Sequence, residues 1–113
     1  MIKREILLQK LIQLDGSTET IMQLLQPFGW DSNQPLIILQ RKDIIAVLQM
    51  YLQFSISASD VEKWANAIEG REDIGFEDGY LQIISSAINE LANPLLTREL
   101  THMTANELIG ILQ

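Results

Sequence analysis

The feature that most restricts the fold of this chain is a helical spacing of apolar residues that recurs along most of its length and is punctuated by helix stops. Between residues 3 and 14, Leu7, Leu8, Leu11, Ile12 and Leu14 share one broad arc, with Gln9, Lys10 and Gln13 opposite and Asp15-Gly16 as the expected stop. A second, short helix is expected from Thr18 to about Gln26. Pro27, Gly29, Asp31, Asn33 and Pro35 then crowd turn formers together, so Phe28 and Trp30 belong to an irregular connection, with a short extended or turn segment at Leu36 to Leu39.

From Arg41 to Phe54, the residues Ile44, Ile45, Val47, Leu48, Tyr51 and Leu52 leave little polar face, as expected of a central helix packed on several sides. Ser57 and Asp60 have capping-box spacing and open a helix that ends at Gly70, with Val61, Trp64, Ala65 and Ile68 facing inward. Tyr80 to Ala92 repeats the pattern through Leu81, Ile84, Ala87, Ile88 and Leu91, and Asn93-Pro94 ends it. Thr104 with Glu107 is read as a second capping box before a C-terminal helix through Leu108, Ile109, Ile111 and Leu112. The predicted fold class is all-α: a single domain over residues 1–113, a compact bundle of five to six helices, with at most a minor extended segment near 36–39.

A chain of 113 residues has the size of one domain. No apolar run approaches the roughly 18 residues of a membrane span, and Met1 to Lys10 lacks the features of an export signal. With no cysteine there is neither a disulfide framework nor a thiolate. The expectation is a soluble, cytoplasmic protein.

The net charge of −7 is concentrated. Residues 1–59 carry five acids and five bases, whereas residues 60–90 carry eight acids against Lys63 and Arg71. Such a field repels nucleic acid and anionic lipid and speeds encounter with a basic protein, so neither direct nucleic-acid binding nor a membrane role is expected.

Catalysis, metal and cofactor are not expected. The sole histidine, His102, is read as an exposed or capping side chain, and no nucleophile elbow accompanies it. Gly70, Gly75 and Gly79 fit neither the dinucleotide fingerprint nor the Walker loop, and the acids from Glu69 to Asp78 fail the calcium-loop spacing. Trp64 lies on an apolar face and reads as core.

What remains is the acidic hinge Glu69-Gly70-Arg71-Glu72-Asp73-Ile74-Gly75-Phe76-Glu77-Asp78. Its mixture of acids and apolar residues resembles a recognition surface in which anchors are ringed by charge. Glu69, Glu72, Asp73, Phe76, Glu77 and Asp78, with Trp30 from the preceding loop, are the expected partner-binding residues. The plain alternative is a solvated acidic loop, with Phe76 tucked into the core.

The stretch Ser57 to Phe76, containing Asp60-Val61-Glu62-Lys63-Trp64-Ala65-Asn66, followed by Glu90-Leu91-Ala92-Asn93-Pro94, is similar to a pattern met in short bacterial proteins. In size, acidity and helical character the whole chain resembles the small helical immunity proteins of contact-dependent growth inhibition and related toxin systems. That resemblance implies a cytoplasmic, non-enzymatic protein that binds the toxin domain of a cognate effector, often a nuclease. It carries over no particular residue. The other reading is an acidic helical adaptor or regulatory module without a toxin partner; oligomeric state stays open.

Overall fold

The computed structural model describes residues 3–113, so Met1 and Ile2 of the N-terminal stretch lie outside the described residues. Six helices are found there: α1 (Arg4–Gln13), α2 (Thr18–Leu25), α3 (Arg41–Leu52), α4 (Ala58–Ile68), α5 (Leu81–Ala92) and α6 (His102–Leu112). A 3₁₀ turn at Gln26–Phe28 follows α2. Two three-residue strands, β1 (Ile37–Leu39) and β2 (Ile74–Phe76), complete the fold.

The helices form where apolar spacing and caps agree. Ser57 caps α4 as the sequence suggests: its hydroxyl accepts from the Asp60 N–H, and the Asp60 carboxylate accepts from the Ser57 N–H. α4 then buries Val61, Trp64, Ala65, Ala67 and Ile68. Trp64 is completely buried, and its indole N–H donates to the Leu11 carbonyl at 2.8 Å, satisfying its one polar atom. α3 packs against α1, α4 and α6, which explains its narrow polar face.

Two helix ends differ from expectation. α1 stops at Leu14, which takes the left-handed conformation (φ 54°), and not at the following Asp15-Gly16 pair. The Asp15 N–H still closes the end by donating to the Lys10 carbonyl. The cap of α6 is Thr101 with Thr104, one turn earlier than the expected Thr104 and Glu107. Glu107 is instead drawn to Arg98.

The extended segment at 37–39 is a strand, and its partner lies inside the acidic hinge. β1 and β2 pair in parallel, Ile37 with Ile74, Ile38 with Gly75 and Leu39 with Phe76. A parallel pair needs a long crossover, here α3 and α4 together. So short a pair is marginal alone. It is extended by the Leu36 N–H donating to the Asp73 carbonyl (2.8 Å) and the Glu77 N–H donating to the Leu39 carbonyl (2.9 Å), and it buries Leu39 and Ile74 in the core.

Candidate interaction surface

Strand pairing changes what the hinge offers to a partner. Asp73 precedes β2 and is fully buried, contrary to its expected place on the binding surface. Its Oδ1 accepts from Arg71 Nε at 2.8 Å, and its Oδ2 accepts from Arg71 Nη2 at 3.0 Å, Arg4 Nη2 at 2.9 Å and Arg4 Nε at 3.1 Å. Burial pushes this carboxyl up, but the Arg71 and Arg4 guanidinium groups together outweigh it and hold Asp73 below the usual carboxylate range. The same two arginines reach the turn-rich connection, Arg71 donating to the Gly29 carbonyl and Arg4 to that of Asp31. Asp73 therefore fastens α1, the 29–31 loop and β2 together.

Trp30 lies against the hinge. Its ring covers the Arg71 guanidinium at 4.5 Å, its carbonyl accepts from the Glu72 N–H, and 39 % of its surface stays exposed. Phe76 is half-buried and packs against the core, so it is not a free anchor. Glu77 accepts from the Arg41 guanidinium and backbone N–H, which hold its carboxyl below the ordinary range, and Arg41 lies 3.5 Å above the Tyr80 ring. Glu69 accepts from the Asn93 amide. Only Glu72 and Asp78 of the six hinge residues expected to bind are both exposed and free of such ties.

The remaining charges follow the same division. Six of the eight bases, Arg4, Lys10, Arg41, Lys63, Arg71 and Arg98, are ion-paired within the chain. Glu5, Asp31, Glu62, Glu72, Asp78 and Glu99 make no ion pair among the described residues and remain exposed or half-exposed. Folding thus pairs Arg4, Arg41 and Arg71 with hinge carboxylates and leaves Glu72 and Asp78 of the hinge outward together with Glu5, Asp31, Glu62 and Glu99.

A surface that the sequence did not point to lies in the α5–α6 connection. Leu95 and Leu96 are 99 % and 86 % exposed. Beside them runs a groove of about 380 Å³ between this connection and the first turns of α4, with Leu91 and Leu100 among its apolar lining and Glu62, Glu90 and Glu99 among its polar lining. Asn93-Pro94 could signal only the helix stop; nothing local in the sequence distinguishes an outward Leu95 from an inward one.

His102, the first residue of α6, is exposed and lies against the Tyr51 and Phe54 rings at 5.3 and 4.9 Å between centroids. Among the described residues, no three His, Asp or Glu side chains converge as metal ligands would. No helix among the described residues is long and apolar enough to cross a membrane. Fold and surface together define a small, mostly helical, acidic domain whose distinctive features are surface features. No family model, no curated protein and no solved structure matches the chain.

Proposed function

We propose that this protein works by binding, as an immunity protein that caps a cationic toxin domain, a nuclease being the kind of toxin its charge suits best. The observation that carries this reading is the uneven use of charge: six of eight bases are held in internal ion pairs while Glu5, Asp31, Glu62, Glu72, Asp78 and Glu99 face outward unpaired. With only Lys3 and Lys42 outward and unpaired among the described residues against these six carboxylates, the outward field is predominantly negative, which raises the encounter rate with basic partners and disfavours anionic ones. A standard interface covers about 800 Å² on each partner, roughly an eighth of this chain's 6603 Å². A footprint of that size takes in several carboxylates and one or two apolar anchors.

The test begins with the gene directly upstream. This reading requires a large secreted effector there, and growth arrested by expression of its C-terminal domain should be restored by coexpressing this protein. A metabolic operon at that position, or arrest that persists with both proteins made, refutes the proposal.

A further inference from the structure

The 93–100 connection is built to hold two apolar side chains in water. The N–H groups of Leu96 and Thr97 both donate to the Asn93 carbonyl at 3.0 Å, and the Thr97 hydroxyl lies 2.9 Å from the Glu90 carbonyl and 2.8 Å from that of Asn93. The Asn93 amide donates to Glu69 and to the Asn89 carbonyl. Arg98 closes the other side by pairing with both Glu90 and Glu107. Pro94 removes a further backbone freedom immediately before Leu95. A loop fixed in this way loses little conformational entropy on binding, so the apolar area of Leu95 and Leu96 is available as affinity.

Charge decides what can cover it. Glu62, Glu90, Glu99 and Glu107 against Arg98 give the neighbourhood a net charge of −3, and Arg98 is already engaged twice. A second copy of this chain would bring the same negative surface against it, and anionic ligands would be repelled. A basic segment is attracted.

We infer that Leu95 and Leu96, with the groove beside them, form the docking site for a cationic partner: the two leucines enter an apolar recess on it, one of its apolar side chains fills the groove over Leu91 and Leu100, and its Lys or Arg side chains meet Glu62 and Glu99. This inference rests on the proposed binding of a basic domain and locates it away from the hinge. Leu95 and Leu96 are almost fully exposed, so covering them removes far more apolar surface from water than the partly buried lining of the groove can, which makes the pair the dominant anchors.

Chemical-shift titration of the isotopically labelled full chain tests it, with a short amphipathic Leu/Lys peptide as probe and a Leu/Glu peptide and oligolysine as controls. Saturable shifts confined to residues 58–62 and 90–100, seen with Leu/Lys and much weaker with either control, are expected. Leu95→Ser with Leu96→Ser should weaken that binding roughly tenfold or more, whereas Glu72→Lys with Asp78→Lys should change it by no more than about twofold, since those charges act from outside the contact. Shifts centred on Trp30 and Glu72, equal binding of the Leu/Glu peptide, or self-association abolished by the leucine substitutions would each overturn the assignment. The same variants against the upstream toxin domain separate the two proposals. Tight binding that survives loss of both leucines removes this docking site alone; no binding of the wild-type chain removes the immunity reading and the site with it.

Discussion

Replacing Asp73 with alanine should destabilise the fold far more than replacing either exposed carboxylate of the hinge, Glu72 or Asp78. Its carboxylate is fully buried and receives four hydrogen bonds, two from Arg71 and two from Arg4. Arg4 is partly exposed and can turn toward water, but the Arg71 side chain has no exposed surface. In Asp73→Ala, Arg71 would keep only the Gly29 carbonyl, the Trp30 face and a long contact with the Met22 sulfur. Removing one member of a buried ion pair costs about 3–5 kcal/mol, mostly because the other charge is stranded. A domain of this size has about 5–15 kcal/mol in total.

Urea denaturation followed by far-ultraviolet circular dichroism measures the loss directly. In a thermal scan, at about 4 °C per kcal/mol for a chain of this length, the midpoint should fall by roughly 12–20 °C. Glu72→Ala, exposed and unpaired in the same hinge, should stay within about 0.5 kcal/mol of wild type. Arg71→Met with Asp73→Ala should recover much of the loss, because no charge is then stranded. An Asp73→Ala protein within about 1 kcal/mol of wild type would refute the structural role and return Asp73 to the surface where its sequence context suggests it belongs.

Acid sensitivity should follow from the same carboxylates. Asp73, Glu77, Glu19 and Asp60 are all held below their ordinary pKa, so each contributes stability that is present above its unfolded value and lost as pH falls through the folded one. Stability should be flat near neutrality and decline below about pH 4, and a decline beginning above pH 6 would contradict this. Gly75→Ala should cost about 1–3 kcal/mol by overpacking, since its Cβ would lie 2.9 Å from Ile38 Cδ1 and 3.0 Å from the rigid Pro35 ring; unchanged denaturation would show that β1 can shift. Thr101→Ala should cost about 1 kcal/mol as loss of a helix cap, because the Thr101 hydroxyl accepts the Thr104 N–H. Glu107→Ala should leave helix stability almost unchanged, and the reverse order would restore the cap to Thr104.

The helices were legible because each is fixed by neighbours in sequence. Apolar spacing locates α1 and α3 to α5 within a few residues, and the Ser57–Asp60 box gives α4 its start to the residue. Trp64 could be assigned to the core from its own helix face alone. The parallel pair was half legible: Leu36 to Leu39 looks extended, but Ile74-Gly75-Phe76 is too short to show alternation, and its partner lies beyond two helices. Asp73 was misplaced for a related reason. Its local context, beside Glu72 and among other acids, says surface, while one of its two bases, Arg4, stands 69 residues away.

A sequence displays how many charges a segment carries but not which of them the fold neutralises, and here the difference moves the candidate contact to the α5–α6 connection. The hinge looks the most acidic part of the chain, yet Arg4, Arg41 and Arg71 converge on its carboxylates because the turn-rich 27–40 connection must be fastened to the helices without a large sheet. At the α4 and α5–α6 end, one arginine serves Glu90 and Glu107, and Glu62 and Glu99 are left without an ion pair. Two of the six free carboxylates, Glu62 and Glu99, therefore lie beside two outward leucines on a hydrogen-bonded loop, and the Glu69–Asn93 bond joins that loop to the start of the hinge. Partner recognition at that end leaves the Asp73 network intact, so substitutions there should alter binding without altering stability, and those at Asp73 should do the reverse.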